Sequence, residues 1–194
     1  MVNITQLISS HGMSRLLSVL IELEKEEAYL PTIGPIKAAF LYTIVAITKP
    51  KRILELGTLH GYSALIMLKA CEDAGIRPEL TTVEMSEIRA RQAMVNFKRA
   101  GVYDIVHVVI GDALTYVKNI KDKVFDFIFI DISKGEYPEA FELCLPILKK
   151  HGVMIFDNAL MVGVRRFSRR VLNDTRVISS LIRIGDGMLV CIKR

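Results

Sequence analysis

From Arg52 onward, short runs of consecutive apolar, often β-branched residues alternate with longer stretches in which apolar side chains recur at helical spacing. The runs are Arg52–Leu56, Leu80–Val83, Val106–Ile110, Phe125–Ile130 and Val153–Phe156. Nearly unbroken apolar runs of this length suit parallel strands covered on both faces. Their alternation with helices of about 10–15 residues suits βαβ units. The last two runs, Ile178–Ile184 and Met188–Lys193, are joined by Gly185-Asp186-Gly187. Asp-Gly between apolar runs signals a hairpin. Five parallel strands followed by an antiparallel hairpin predict an α/β fold with a Rossmann-like, seven-stranded sheet.

Helix ends are written locally. Two helices, roughly Met13–Glu27 and Ile36–Thr48, precede the first strand; Pro35 opens the second, which stops before Pro50. A further helix begins near Tyr62. Ser86 caps a helix running to Ala100, and Gly101 follows it, where a left-handed turn suits glycine. Pro138 opens a helix whose internal Pro146 bends or shortens its last turn. With no repeat or linker-like tract, the chain reads as a single domain, 1–194. Residues 1–50 form an N-terminal helical segment and 51–194 the Rossmann-like core.

Composition adds three constraints. Of the 194 residues, 51% are hydrophobic, which suits a well-filled core or an apolar patch covered by a partner subunit. The longest apolar run, Ala38–Ile47, is interrupted by Tyr42 and Thr43 and is far short of a membrane span. The N-terminus lacks signal-peptide patterning, and Cys71, Cys144 and Cys191 lie in apolar segments as reduced core residues. A cytoplasmic protein with no membrane partner is expected. The net charge of +5 is mild, but Arg165, Arg166, Arg169 and Arg170 fall close together. The four histidines, His11, His60, His107 and His151, carry no signal.

Candidate chemistry begins at Leu54–Ser63. Gly57 follows a buried strand and precedes a helix, a crossover at which a ligand approaches backbone and free helix N–H groups. A dinucleotide fingerprint needs glycine where this chain has Leu59 and Tyr62, which argues against NAD and FAD and suits a ligand without a pyrophosphate. Glu84 ends the second strand, placed to accept from both ribose hydroxyls. Met85 beside it can pack on an adenine face. Asp112, within Gly111-Asp112-Ala113, either accepts from the adenine amino group or caps the next helix, or does both.

Taken with LELGTLHGYSAL (54–65), TTVEM (81–85), FIDISKGEY (129–137), DNAL (157–160) and IGDGMLV (184–190), the chain resembles the metal-dependent catechol and caffeoyl-CoA type O-methyltransferases from about Leu30 to its C-terminus. The resemblance implies the methyltransferase form of the seven-stranded sheet, S-adenosylmethionine as donor, a divalent cation such as Mg²⁺ and a homodimer. It implies that Glu55, Gly57, Thr58, Gly61, Tyr62, Ser63, Glu84, Met85, Gly111, Asp112, Ala113 and Asp131 serve the cofactor. Asp131, Asp157 and Asn158 match the metal ligands, and Lys134 the general base acting beside Asp131.

Read physically, Asp131 and Asp157 end the fourth and fifth strands. If those strands are neighbours, the two carboxylates lie about 5 Å apart and repel unless a cation intervenes. With the amide oxygen of Asn158 they make a hard-oxygen set suited to Mg²⁺ or Mn²⁺. A catechol-like small molecule is the expected acceptor. The segment from Met161 to Val177 is shorter than in relatives, which suggests a more open site. Together with the arginine run it motivates an alternative acceptor, a hydroxyuridine of tRNA. A non-catalytic, S-adenosylmethionine-binding regulatory domain is a third reading, opposed by the presence of Asp131, Lys134, Asp157 and Asn158 together.

Overall fold

A computed structural model describes residues 3–8, 14–26, 32–120 and 124–194. In chain order its elements are α1 (Arg15–Glu26), α2 (Gly34–Thr48), β1 (Arg52–Leu56), α3 (Tyr62–Asp73), β2 (Glu79–Glu84), α4 (Glu87–Ala100), β3 (Val106–Ile110), α5 (Ala113–Asn119), β4 (Phe125–Ile130), α6 (Tyr137–Ile147), β5 (Leu148–Phe156), α7 (Arg165–Leu172), β6 (Val177–Ile182) and β7 (Met188–Lys193). His11, and the expected ends of the first helix at Met13 and Glu27, lie outside the described residues.

The strands form one seven-stranded sheet in the order β3-β2-β1-β4-β5-β7-β6. The first five are parallel, and β7 runs antiparallel to both β5 and β6. Chain order reverses direction between β1 and β4, so a crevice opens beyond the carboxyl ends of those two strands.

Alternation along each strand divides the core. Ile53, Phe127, Phe129 and Ile155 face a layer containing Leu20, Leu41, Leu65 and Phe97. Leu54, Leu56, Ile128, Ile130 and Phe156 face the other side, with Tyr137, Phe141 and Phe167. There Phe156 meets Phe167 at 4.9 Å and Tyr137 at 5.1 Å between ring centroids, tilted or edge-on as aromatic quadrupoles prefer. Cys71, Cys144 and Cys191 are buried free thiols whose pKa values burial pushes up to about 12, as befits inert core residues.

Local signals mostly act as expected. The Ser86 hydroxyl accepts from the Arg89 N–H and Gly101 takes a left-handed φ of 76°. Three boundaries differ. Strand β5 starts at Leu148 rather than Val153, because the chain leaves α6 one residue after Pro146 and pairs at once with Phe125, with an irregularity before Phe127. Strand β2 starts at Glu79, one residue before the apolar run, and ends on Glu84 as expected, with that residue buried. The β6–β7 pairing closes at Ile182 and Met188, so residues 183–187 form a five-residue connection, longer than an Asp-Gly turn requires. Asp186 in that connection is engaged elsewhere, as described below.

Beyond the strand ends the backbone continues as a staircase. Gly57 N–H donates to Val83 O (3.0 Å), Asp131 N–H to Leu56 O (2.8 Å), Asp157 N–H to Ile130 O (3.0 Å) and Gly111 N–H to Glu84 O (2.9 Å). These bonds fix the first residue past each strand relative to its neighbour. Gly57 has a φ of 96°, and a Cβ built on it would lie 2.1 Å from the Asp131 carbonyl oxygen. Close packing of the protein's own backbone therefore demands glycine here, before any ligand does. Gly57→Ala is expected to cost about 3 kcal/mol or more in urea denaturation, well beyond an ordinary glycine-to-alanine change.

Candidate active site

A cavity of about 310 Å³ lies at the switch point. Gly57, Thr58, Tyr62, Ser63 and Glu84 line it, and so do Asp131, Lys134, Asp157 and Asn158. Nine of the residues singled out from the sequence are thus brought to one space. Glu55 and Gly61 stand behind its wall: Glu55 is fully buried, and a Cβ on Gly61 would meet the Phe97 ring at 2.7 Å. Met85, Gly111, Asp112 and Ala113 lie outside the lining, at the β2 and β3 ends. Met85 is exposed, and Asp112 is a helix cap, its Oδ1 accepting from Thr115 N–H at 2.7 Å.

On the side of β1 and β2, Glu84 is held by main chain. Its Oε2 accepts from Leu59 N–H at 2.9 Å and its Oε1 from Ser86 N–H at 3.0 Å. Leu59 reaches this position through a left-handed φ of 50°. Each carboxylate oxygen keeps lone pairs for a further donor. Beneath them, Glu55 accepts from Ser63 Oγ at 2.6 Å and Thr82 Oγ1 at 2.5 Å. Burial raises its pKa to about 7 even though both hydroxyls favour the anion; the charges of Asp131 and Glu84 add to the rise. Tyr62 OH donates to Glu24 Oε1 at 2.6 Å, and the same carboxylate accepts from Ile4 N–H. Helix α1 is thereby tied to the first turn of α3.

On the side of β4 and β5, the two strands are neighbours, so the condition for a carboxylate pair is met and Asp131 and Asp157 sit side by side. Lys134 Nζ donates to Asp131 Oδ1 at 2.5 Å and to Tyr137 OH at 3.0 Å. Tyr137 OH in turn donates to Asp157 O at 3.0 Å. Burial and the neighbouring carboxylates push that phenol well above its usual range. Asn158 adopts a left-handed φ of 52°, and its amide N–H donates to Asp186, which directs the amide oxygen away from Asp186.

Asp157 is 1% exposed. Burial raises its pKa to about 6, with the Asp131 charge adding and Lys37 opposing. Two mutually repelling carboxylates and an amide oxygen at adjacent strand ends suit a hard divalent cation, which would relieve that repulsion. Among the described residues no group of three or more His, Cys, Asp and Glu side chains forms a metal cage. The set here is two carboxylates and an amide.

Sequence reading missed three participants. Lys37 Nζ lies 2.8 Å from both oxygens of Asp157 and 2.6 Å from Asp186 Oδ1. Its signal was present: Lys37, Leu41 and Val45 recur at four-residue spacing on the buried stripe of α2, where a lysine requires an acidic partner. Asp186 reads in the sequence only as part of a hairpin turn, and Tyr137 only as part of a motif. In the arginine run, Arg170 pairs with Glu142 at 2.7 Å and Arg165 Nε donates to Leu160 O at 3.0 Å, so two of the four already hold α7 in place. No helix among the described residues is long and apolar enough to cross a membrane.

An unfolded glutamate loses its proton near 4.5, whereas folded Glu55 keeps it to about 7. The folded state binds the extra proton across that window, so stability falls as pH rises through it and levels off above. Glu55→Gln removes this contribution, and the variant's urea midpoint is expected to change less than the wild type's between about pH 5 and about pH 7.5.

Residues 8–194 match the model of the O-methyltransferase family. A catechol O-methyltransferase of Niastella koreensis is 30% identical over 86% of this chain and 85% of its own length. A caffeoyl-CoA O-methyltransferase of Populus kitakamiensis is 27% identical over 78% and 74%. The crystal structure of an O-methyltransferase from Bacillus cereus in complex with SAH superposes with a TM-score of 0.77 at 27% identity, covering 95% of this chain and 93% of that one. A sheet whose carboxyl edge gathers Glu84, Asp131, Lys134, Asp157 and Asn158 thus coincides with a family match across nearly the whole chain, and the chain belongs to the O-methyltransferase family.

Proposed function

We propose that this protein transfers the methyl group of S-adenosylmethionine to one hydroxyl of a catechol-like small molecule, with a divalent cation, in the first instance Mg²⁺, held by Asp131, Asp157 and Asn158. The observation that carries this is the shared cavity: a ribose-ready carboxylate, Glu84, and the acidic cluster with Lys134 line the same space. Support also comes from the relatives, two of which are named for catechol and caffeoyl-CoA and one of which holds SAH.

In the reaction the bond from the methyl carbon to sulfur breaks as its bond to the acceptor oxygen forms, and S-adenosylhomocysteine leaves. Glu84 receives the ribose hydroxyls on oxygens already fixed by the Leu59 and Ser86 amides, so little ordering cost remains at binding. A divalent cation held by Asp131, Asp157 and Asn158 would supply Lewis-acid lowering of the acceptor hydroxyl's pKa. Lys134 Nζ is placed to take the acceptor proton. The ammonium so formed is held by Asp131 and the Tyr137 hydroxyl, the contacts seen here. Alignment of donor and acceptor within one rigid crevice provides much of the remaining acceleration.

Two measurements test this. Calorimetric titration with S-adenosylhomocysteine should show at least about tenfold weaker binding to Glu84→Gln, the usual scale for losing charge-assisted hydrogen bonds. Transfer of labelled methyl from S-adenosylmethionine to a panel of catechols should stop in EDTA, return with Mg²⁺, and fall by about a hundredfold or more in Asp157→Ala. Turnover that ignores EDTA would contradict the metal assignment.

A further inference from the structure

The Lys37 ammonium is built into the acidic cluster by three separate elements. Its side chain comes from the first turn of α2 and is 7% exposed as a residue. Its Nζ faces both oxygens of Asp157 at 2.8 Å and Asp186 Oδ1 at 2.6 Å. Its stem passes over Gly185, where an added Cβ would lie 3.6 Å from Cδ. The connection carrying Asp186 is itself bound to the strand end: Leu160 N–H donates to Asp186 O at 2.8 Å and Ala159 N–H to Gly187 O at 2.9 Å. Asn158, the amide of the candidate metal set, donates to the second oxygen of Asp186.

Both oxygens of Asp157 are therefore directed at a monovalent cation that belongs to the chain. A divalent cation on Asp157 must take at least one of those oxygens, and it meets a like charge a few ångströms away. Asp186, whose side chain is 43% exposed, offers the ammonium a second anchor off Asp157. We infer that Lys37 is a positioning residue that competes with the divalent cation for Asp157, holding the acceptor half assembled in the metal-free protein and shifting toward Asp186 when the metal loads. This rests on the metal assignment proposed above. It makes the metal site weak and exchangeable by construction, since the ammonium stabilises only the metal-free state in full.

The test is Mn²⁺ binding to the intact protein, read by calorimetry and by the electron paramagnetic resonance signal of free Mn²⁺. Lys37→Gln and Lys37→Met should bind Mn²⁺ at least about tenfold more tightly than wild type, the scale expected for removing one nearby unit charge. Lys37→Arg, which keeps the charge, should not tighten binding. Added Mn²⁺ should also raise the melting temperature of the neutral variants by more than it raises that of wild type. Lys37→Gln retains a donor for Asp157 and carries the test if Lys37→Met does not fold. Unchanged or weaker Mn²⁺ affinity in Lys37→Gln would overturn the competition while leaving metal-dependent transfer intact. Tightening in Lys37→Arg as well would overturn it by tracing the effect to loosened packing. Failure of every variant and of wild type to bind Mn²⁺ would overturn both assignments.

Discussion

Five parallel strands that end together at one edge concentrate carboxylates there, and the surrounding polar structure is arranged to keep those charges apart or paired. Glu55, Glu84, Asp131, Asp157 and Asp186 all converge on this edge, and each is answered differently. Glu55 accepts from two hydroxyls while burial shifts it toward the protonated form. Glu84 sits on two backbone amides, Asp131 on Lys134, and Asp157 shares Lys37 with Asp186. Unpaired buried charge is costly enough that such a cluster persists only with each member answered. Fold and chemistry are thus linked through one electrostatic problem.

Tyr137 shows how the fold contributes to the solution. Its ring belongs to the aromatic group around Phe156, while its hydroxyl bridges Lys134 and the Asp157 carbonyl. One side chain therefore couples core packing behind β4 and β5 to the position of the lysine in front of them. Glu24 plays a similar part for the other half, joining Ile4 and helix α1 to Tyr62 at the start of α3.

Most of the fold was legible because its signals are local. Unbroken apolar runs marked the buried parallel strands, and Ser86 and Gly101 marked the ends of α4. Asp131 and Asp157 were legible as a pair because strand ends can be read from sequence, and neighbouring strands bring their ends together. What escaped depended on contacts between distant segments. Lys37 and Asp157 are 120 positions apart and Lys37 and Asp186 are 149 apart, a pairing that no local spacing encodes. The packing behind Gly57 and Gly61 escaped for the same reason. A Cβ on Gly57 would strike the Asp131 carbonyl and one on Gly61 the Phe97 ring, contacts with segments far along the chain.

The contact between Gly57 and the Asp131 carbonyl has a further meaning for how such a site can diversify. Where backbone touches backbone, the interval between the turn at Gly57 and Asp131 is a fixed dimension of the scaffold. No choice of side chain lengthens or shortens it. Variation in what the cavity admits is then left to side chains elsewhere in its lining, such as Ile33 and Arg89. A chain built this way can change what its cavity admits through a few lining side chains while that backbone interval stays the same.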